Sequence, residues 1–424
     1  MLHQWRLLTG PVTTAQASGA ATGTGDRSRP RAALPALCVT QITGWGILYY
    51  AFPVLTPRLI ADTGWSTAQT TAAFTAALLL SAVTGIPVGR IVDRHGPRTV
   101  MTTGSGLGVV ALAAVASAPS LPLFFAAWLL AGTAMAATFY QPAFTALTRW
   151  HQPDHVRALT TVTLAGGLAS TVFAPATAAL ADHLSWRTTY LVLAAVLAGV
   201  TIPLHALALR HPWPQEPHTT AHSGPAAVRS PARTRPFLLL AAAFTLSGFA
   251  MYGVVFNTVP LLTERGAGPT TAAWALGLGG LGQTLGRTLY STLARHTGAT
   301  SRTTTLIAAG GTTTLLLALV PGPVPLLAGM AILAGTIRGN LTLLHATAVT
   351  DRWGTNAYGH LTAQLAAPAT IAGALAPWAS SALAPTLGGY PALFTVLAAL
   401  SAAAALLTLG TAPPRQQPDD VRTS

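Results

Sequence analysis

Apolar residues fill long stretches of this chain, and short polar segments separate those stretches. A helix that crosses a lipid bilayer needs about 20 mostly apolar residues. The pattern therefore predicts an all-α integral membrane protein with twelve transmembrane helices. The twelve stretches start near Leu34, Thr67, Thr99, Leu121, Ala158, Thr188, Phe237, Thr271, Thr303, Val324, Ala357 and Tyr390.

One polar segment, residues 210–236, is rich in proline and arginine and divides the predicted spans six and six. We interpret it as a cytoplasmic linker between two helix bundles. The residues before the first span contain no clear hydrophobic signal core followed by a cleavage site, which favours a flexible tail. The predicted organisation is a tail over residues 1–33, a six-helix bundle over 34–209, a second six-helix bundle over 237–410 and a C-terminal tail over 411–424.

Short motifs recur between the two predicted bundles. Leu130–Thr133 on span four has the same sequence as Leu333–Thr336 on span ten, 203 residues later. Arg149-Trp150 recurs as Arg352-Trp353 at the same offset. A parallel repeat is typical of transporters whose halves rock about a site near the bilayer midplane. We therefore expect the two bundles to be related by an internal repeat.

The composition places most of the surface against lipid. Only 8% of the residues are charged, whereas soluble proteins carry about 25%. The 23 basic residues are all arginine and are scattered between apolar runs, which argues against a basic face for nucleic acid. Cys38 is the sole cysteine, which excludes an intrachain disulfide and a cysteine-based zinc site. We expect no metal, no cofactor and no nucleic-acid partner.

The placement of arginine predicts the orientation in the membrane, because positive residues collect in cytoplasmic loops. If the N-terminus is inside, the internal loops and tails contain 18 arginines. The external loops contain only Arg58, Arg187 and Arg265, and Arg287 and Arg338 fall within spans. We therefore predict a multi-pass protein of the plasma membrane with both termini in the cytoplasm.

Glycines on span eight permit two interpretations. Gly277, Gly279 and Gly282 have the spacing of a dinucleotide-binding fingerprint. No strand precedes them, and their surroundings are apolar. We predict that they let two transmembrane helices approach closely.

The loop between spans two and three reads Gly-Arg-Ile-Val-Asp-Arg-His-Gly-Pro-Arg over residues 89–98. This sequence resembles the cytoplasmic loop motif of the major facilitator superfamily, a resemblance that extends over residues 34 to 410. In the second half the counterpart, Ala294-Arg295-His296, has no carboxylate. The resemblance implies two six-helix bundles, alternating access and a conformational role for the motif. Its candidate gating residues are Gly89, Arg90, Asp93, Arg94, Gly96 and Arg98.

A narrower resemblance is to the monocarboxylate and oxalate:formate porter branch of that superfamily. It rests on Gly44-Trp45-Gly46, Gly64-Trp65-Ser66 and Arg157-Ala158-Leu159. The resemblance places Arg287 at the substrate-binding arginine of span eight. The sequence departs from the branch because Gln283 stands where the branch has an aspartate, and because the lysines of the branch are absent.

The polar residues inside the spans are the candidates for a binding site. All ten acidic residues lie in tails, loops or span ends, which disfavours a cationic substrate. An intramembrane arginine is costly and suggests function, so we select Arg338 first and Arg287 second. His345 follows Arg338 by two helical turns and shares its face; it is a candidate for a coupling proton or a packing residue. The remaining polar candidates are Gln41, Tyr49, Tyr140, Gln141, Asn257, Gln283, Asn340 and Gln364.

These features favour a monomeric secondary transporter that moves a small organic anion, such as a carboxylate, by alternating access. The alternative is a drug or metabolite efflux antiporter, because Gly166, Ser170 and Ala174-Pro175 have the spacing of an antiporter motif. An intramembrane enzyme is disfavoured, since the sequence shows no nucleophile with a base and no embedded carboxylate pair. A membrane receptor is disfavoured because the tails are short. The expected partners are the small-molecule substrate, the bilayer and, if His345 titrates, a proton.

Overall fold

The computed structural model describes residues 30–151, 155–213, 231–353 and 358–411, and all elements in these ranges are helices. Most of the predicted tails and linker lie outside the described residues. In the first half of the chain the helices are α1 (Ala33–Trp45), α2 (Ala51–Thr63), α3 (Thr67–His95), α4 (Pro97–Ser117), α5 (Leu121–Thr138), α6 (Tyr140–Trp150), α7 (His155–Gly167), α8 (Ala169–His183) and α9 (Trp186–Ala208).

The second half of the chain continues the helical pattern. A short 3-10 turn, Pro231–Arg233, precedes its first long helix. The helices are α10 (Arg235–Glu264), α11 (Pro269–His296), α12 (Ala299–Leu319), α13 (Val324–Thr347), α14 (Thr350–Trp353), α15 (Tyr358–Leu387) and α16 (Tyr390–Leu409).

The predicted all-α membrane fold is confirmed. Among the described residues, eight helical segments are long and apolar enough to cross a membrane. The other four predicted spans coincide with α1–α2, α11, α12 and α15, of which α1 and α2 have 13 residues each. The eight segments are Thr67–His95, Pro97–Ser117, Leu121–Trp150, His155–His183, Trp186–Ala208, Arg235–Glu264, Val324–Thr347 and Tyr390–Leu409.

Three spans of the first half are interrupted near their middle. A π-helical turn, Gly46–Tyr50, joins α1 to α2. Phe139 has an extended backbone between α5 and α6, and Leu168 separates α7 from α8. Each interruption changes which face the following residues present, and π-helical turns are frequent at functional sites. The three interruptions therefore indicate a functional site in the middle of the bundle.

The same helix partnerships occur in both halves of the chain. In the first half, α3 packs on α5 and α4 packs on α9. In the second half, α11 packs on α13 and α12 packs on α16, which are the equivalent pairs six spans later. Contacts of α8 with α11 and of α3 with α15 join the two halves.

Glycines allow α11 and α13 to touch along their backbones. A β-carbon on Gly286 would overlap the carbonyl oxygen of Thr336, and one on Gly282 would overlap that of Ile332. From the other side, a β-carbon on Gly335 would overlap the carbonyl oxygen of Gly279. This confirms that the glycines of span eight serve helix packing, as small residues do in membranes. The close approach places the middle of α13 beside the middle of α11.

Candidate functional site

A cavity of about 430 Å³ lies in the middle of the bundle. Its lining comes from the junction of α1 with the π-helical turn, from α3, from the α5–α6 junction, and from α10, α13 and α15. Both halves of the chain therefore contribute to it. The volume is in the range of small-molecule sites, about 300 to 1,000 Å³. No charged side chain of the described residues lines this cavity.

We call the side of the bundle that holds the start of α1 and the end of α16 the terminus side, and the opposite side the far side. Aromatic side chains from both halves pack together beyond the cavity, toward the far side. Phe52 and Phe74 stack with their ring centroids 4.5 Å apart. Phe256 of α10 lies 5.7 Å from Phe52 and 5.6 Å from Phe74. In each of these helices, the cavity-lining residues lie nearer to the terminus side than the aromatic residue does. The rings thus lie between the cavity and the far ends of these helices.

Polar contacts join the halves farther out on the same side. Asp182, at the end of α8, accepts a hydrogen bond of 2.6 Å from Arg58 and one of 2.5 Å from Thr270 at the start of α11. Deeper along the same helix pair, Thr171 donates to the carbonyl oxygen of Gly277 at 2.8 Å. Asp182 therefore connects α2 of its own half with α11 of the other half.

An aromatic wall from the first half borders the cavity. Trp45 stacks on Phe139, with ring centroids 4.1 Å apart and an interplanar angle of 18°. Tyr49 lies 5.5 Å from Trp45 and is 3% exposed. The Trp45 Nε1 and the Tyr49 hydroxyl are buried without a hydrogen-bond partner among the described residues. Because the indole group can only donate, the wall presents at least one donor that lacks an acceptor.

Arg338 lies near the middle of α13, one helical turn farther from the terminus side than the cavity-lining Leu341. Its electrostatic neighbours include Tyr50, Tyr49 and Tyr252, of which Tyr49 and Tyr252 line the cavity. No acceptor or carboxylate of the described residues pairs with its guanidinium, and its Nε is buried without a partner. A partly buried positive charge that lacks a counter-ion within the described residues therefore lies beside the deep end of the cavity, which is the end away from the terminus side. The Arg338 side chain also borders a second, smaller cavity.

Arg287 of α11 lies at the contact between the halves. It is 8% exposed, and its Nη1 donates to the carbonyl oxygen of Thr163 in α7. The Tyr140 hydroxyl lies beside its guanidinium. A β-carbon on Gly167 would lie 2.6 Å from the Thr284 Oγ1 and 3.0 Å from the Arg287 Nη1, so the glycine leaves room for this approach. Arg287 thus has an acceptor already and does not line the cavity.

His345 borders the cavity at the other end of the same α13 face. Its ring stacks on Phe244, with centroids 3.9 Å apart and an interplanar angle of 27°. Gln141 of α6 also lines the cavity, and its Oε1 would lie 2.5 Å from a β-carbon on Gly85. The structure therefore brings His345 and Gln141 to one cavity from the two halves of the chain.

Other predicted polar candidates hold helices together away from the cavity. The Gln41 Nε2 donates to the carbonyl oxygen of Thr138 at 2.8 Å. The Asn257 Nδ2 donates to the Ser380 Oγ at 2.6 Å, which joins α10 to α15. The Asn340 Nδ2 donates within α13. Gln283 and Gln364 do not line the cavity, and Gln364 is exposed.

Sequence reasoning missed several residues of the site. Four residues line the cavity without being predicted as site residues: Trp45, Phe139, Ser247 and Tyr252. Of these, only Trp45 belongs to a motif of the family resemblance. Each lies inside an apolar run, where aromatic and hydroxyl side chains are common packing residues. The one available signal was the concentration of tyrosine and tryptophan around residues 45–50.

The predicted gating motif forms a polar cluster at the terminus side of the first half. Asp93 pairs with Arg149 at 2.9 Å, and its carbonyl oxygen accepts a hydrogen bond of 2.9 Å from the Trp213 Nε1. The Arg149 guanidinium also lies 4.8 Å from the centroid of the Trp213 ring. The Arg98 Nε donates to the carbonyl oxygen of Ala206. The motif thus joins the ends of α3, α4, α6 and α9.

Gly96 holds the turn of this motif in a conformation that requires glycine. Its φ is 82° and its ψ is 170°, a region that only glycine adopts readily. A β-carbon there would also lie 3.2 Å from the Trp213 ring. Gly89, by contrast, has open space around its α-carbon, and the side chains of Arg90 and Arg94 are exposed. Within the motif, Asp93, Gly96 and Arg98 therefore make the contacts.

The second half has a different charged cluster in the corresponding place. Arg302, at the start of α12, pairs with Asp351 of α14 and lies 5.6 Å from the centroid of the Tyr290 ring. Arg352 donates to the Thr303 Oγ1 at 2.9 Å. Burial lowers the pKa of the Arg352 guanidinium, and the nearby Asp351 opposes this effect. The carboxylate missing from the second copy of the motif is thus replaced by one from another helix.

Comparisons with known proteins agree with this geometry. The model of the Major Facilitator Superfamily matches residues 37–364. The chain is 28% identical over 208 residues to monocarboxylate transporter 13 of Bos taurus and 27% identical over 214 residues to that of Rattus norvegicus. Each alignment covers 48% of this chain and 47% of the relative, so the chain spans about half the length of the curated relatives it matches.

Two solved structures have a similar fold. A bacterial homologue of the human lysosomal transporter Spinster, in an inward-facing and unoccupied conformation, superposes with a TM-score of 0.67 and 16% identity. That alignment covers 92% of this chain and 95% of the homologue. A nucleoside transporter superposes with a TM-score of 0.71 and 15% identity, over 90% of this chain and 99% of its own. At these identities the similarity concerns the fold.

Proposed function

Because the chain belongs to the Major Facilitator Superfamily, a family of membrane transporters of small solutes, we propose that it carries a small organic anion by alternating access. The anion is a carboxylate or a group of similar shape and charge. It binds at the deep end of the central cavity, where Arg338 is the anchor. The relatives named monocarboxylate transporters support a carboxylate.

The Arg338 guanidinium, which is partly buried and unpaired within the described residues, carries this proposal. An unpaired charge in a low-dielectric interior is costly, and a bound anion removes that cost. A guanidinium also matches the two oxygens of a carboxylate in a bidentate geometry. The donors of Trp45 and Tyr49 lie on the wall of the same cavity and lack acceptors among the described residues. An anion would satisfy all of these groups together.

Arg287 has a supporting role in this proposal. It donates to Thr163 across the contact between the halves, and Tyr140 lies beside it. We propose that this contact changes when the two bundles, residues 34–209 and 237–410, rock against each other. On the far side the halves are joined by the Thr270 contact to Asp182, and we propose that this contact stabilises the arrangement in which the far side is closed.

Transport by reconstituted vesicles tests the anion proposal. Arg338→Gln should raise the KM for an anionic substrate about tenfold or more, because a charge-assisted contact is lost. Arg338→Lys should be intermediate, since a lysine keeps the charge but loses the bidentate geometry. Arg295→Gln is the matched control, because Arg295 is exposed on α11 and far from the cavity. Equal transport of neutral or cationic compounds by wild type and Arg338→Gln would favour the efflux antiporter instead.

We also propose that both termini face the cytoplasm of a plasma-membrane protein, on the basis of the arginine distribution. The test replaces Cys38 with alanine and introduces a single cysteine. Ser120→Cys, in the turn before α5, should react with an impermeant thiol reagent added outside the cell. Gly298→Cys, in the turn before α12, should react only after the membrane is permeabilised. The opposite labelling pattern would reverse the orientation.

A further inference from the structure

The central cavity is larger and more apolar than a short carboxylate needs. Its volume of about 430 Å³ equals roughly 14 times the volume of a water molecule in the liquid. Leu78, Met251, Leu341 and several alanines supply much of its wall. A two- or three-carbon acid would leave most of this wall in contact with water. A substrate with an apolar body would remove that apolar surface from water, which is favourable.

The charges near the cavity are limited to one end. Arg338 lies one helical turn beyond the cavity-lining Leu341, at the deep end, and borders the smaller cavity beside it. Arg287 already donates to Thr163. No charged side chain of the described residues lines the cavity itself. A second anionic group at the opposite end, near His345 and Phe244, would meet no arginine within the described residues. The arrangement therefore fits a substrate with one negative group.

Flat aromatic surfaces border the cavity from both halves of the chain. The stacked pair of Trp45 and Phe139 belongs to the first half, and both rings line the cavity. The stacked pair of Phe244 and His345 belongs to the second half, and its His345 ring lines the cavity. Aromatic rings prefer to pack against other rings in stacked or edge-to-face arrangements. A planar ring in the cavity would contact both halves at once.

The separation of Arg338 and His345 along α13 limits the distance between the anionic group and the ring of a bound substrate. Arg338 and His345 are seven residues apart, which is about 10 Å along a helix. An anionic group at Arg338 and a ring near His345 must therefore be separated by a short linker. From these features we infer that the preferred substrate is an aromatic monocarboxylate of the arylacetate or arylpropionate type. This inference rests on the proposed function, because it assigns the body of the anion that Arg338 binds.

A panel of acids in proteoliposomes tests the inference by competition and direct uptake. The probes are phenylacetate, indole-3-acetate, acetate, butyrate, succinate and the neutral phenylacetamide. The two aryl acids should have half-saturation constants about tenfold or more below those of acetate and succinate, because they add ring contacts and apolar burial. Phenylacetamide should not compete.

A cavity-filling substitution provides a second test with a matched control. Gly248 lines the cavity, and a β-carbon there would meet its nearest neighbour at 3.6 Å, which is an ordinary contact. We therefore expect the side chain of Gly248→Leu to fill part of the cavity. It should abolish uptake of the aryl acids while acetate uptake, if present in the wild type, persists. Gly199→Leu is the control, because nothing lies within 4 Å of a β-carbon at Gly199 and this residue does not line the cavity. It should transport like the wild type.

The outcomes separate this inference from the proposed function. If acetate or succinate binds as tightly as the aryl acids, and Gly248→Leu affects all acids equally, the aromatic body is wrong and the anion proposal stands. If phenylacetamide is carried as well as phenylacetate, the anion proposal itself fails. If Gly248→Leu is absent from the membrane, ligand-induced thermal stabilisation of the wild type by the same panel decides the question.

Discussion

The two halves of the chain hold their terminus-side ends together with different charged clusters. In the first half, Asp93 pairs with Arg149, and the side chains are 53% and 18% exposed. In the second half, Asp351 pairs with Arg302, and the side chains are 27% and 5% exposed. The second cluster also includes Arg352, which is 7% exposed. The two clusters therefore differ in the helix that supplies the carboxylate and in how far water reaches the charges.

The difference shows that both repeats keep a carboxylate–arginine pair at the terminus-side helix ends, although different residues form it. The first-half carboxylate comes from the end of α3, within the recognised motif. The equivalent end of α11 has no acid, and Asp351 beside the repeated Arg352-Trp353 pair supplies one instead. Because one buried arginine, Arg302, pairs with that carboxylate and a second, Arg352, lies in its electrostatic field, we expect the second cluster to depend on it more strongly.

The largest effect is expected for Asp351→Asn. The substitution leaves Arg302 and Arg352 without a negative partner in a mostly buried site, and breaking such a pair costs about 3 kcal/mol. We expect the free energy of unfolding in detergent to fall by about that amount, measured by the loss of helical signal in denaturant. A change below the measurement error would show that water or another group compensates the two arginines.

An intermediate effect is expected for Gly96→Ala, in the turn before α4. The backbone conformation of Gly96 is strained for any other residue, and we expect destabilisation of about 2 kcal/mol. Gly298→Ala is the matched control in the turn before α12, because Gly298 has an extended backbone with a φ of −69° and open space around it. Thermal denaturation of both variants makes the comparison, and equal shifts would contradict it.

The smallest change in stability is expected for Asp93→Asn. The pair with Arg149 is partly exposed, and such pairs contribute less than about 1 kcal/mol. Transport should nevertheless fall, because the charge-assisted contact stabilises one of the two conformations. The measurement is initial uptake at matched membrane abundance, beside the unfolding transition. Normal uptake by the variant would remove the gating role of the motif.

The fold could be predicted from the sequence because each span needs its own apolar stretch, whatever its neighbours are. The motif around Asp93 could be recognised for a similar reason, since its residues are close together in the chain. The pairing of Arg302 with Asp351 could not, because the two residues are 49 positions apart and on different helices. Nothing local distinguishes that aspartate from one without an arginine partner.

The candidate site was predictable only in part. Arg338 and His345 are two turns apart on one helix, so their common face follows from helical geometry alone. Asn257 and Gln141 look alike as polar residues in apolar spans. In the structure, Asn257 is satisfied by Ser380 of another helix, whereas Gln141 lines the cavity. A hydrogen-bond partner on a distant helix decides this difference.

The sequence by itself determined the number and length of the apolar stretches, the absence of acidic residues at mid-membrane and the presence of two arginines within the spans. These are local properties, because the cost of placing a group in the bilayer depends on that group and its immediate neighbours. Only the tertiary structure decided which side chains meet at the cavity and which of the two intramembrane arginines has an acceptor among the described residues. The interruptions at Gly46–Tyr50, Phe139 and Leu168 rotate the faces that follow them, and the glycines of α11 and α13 set how closely those faces approach.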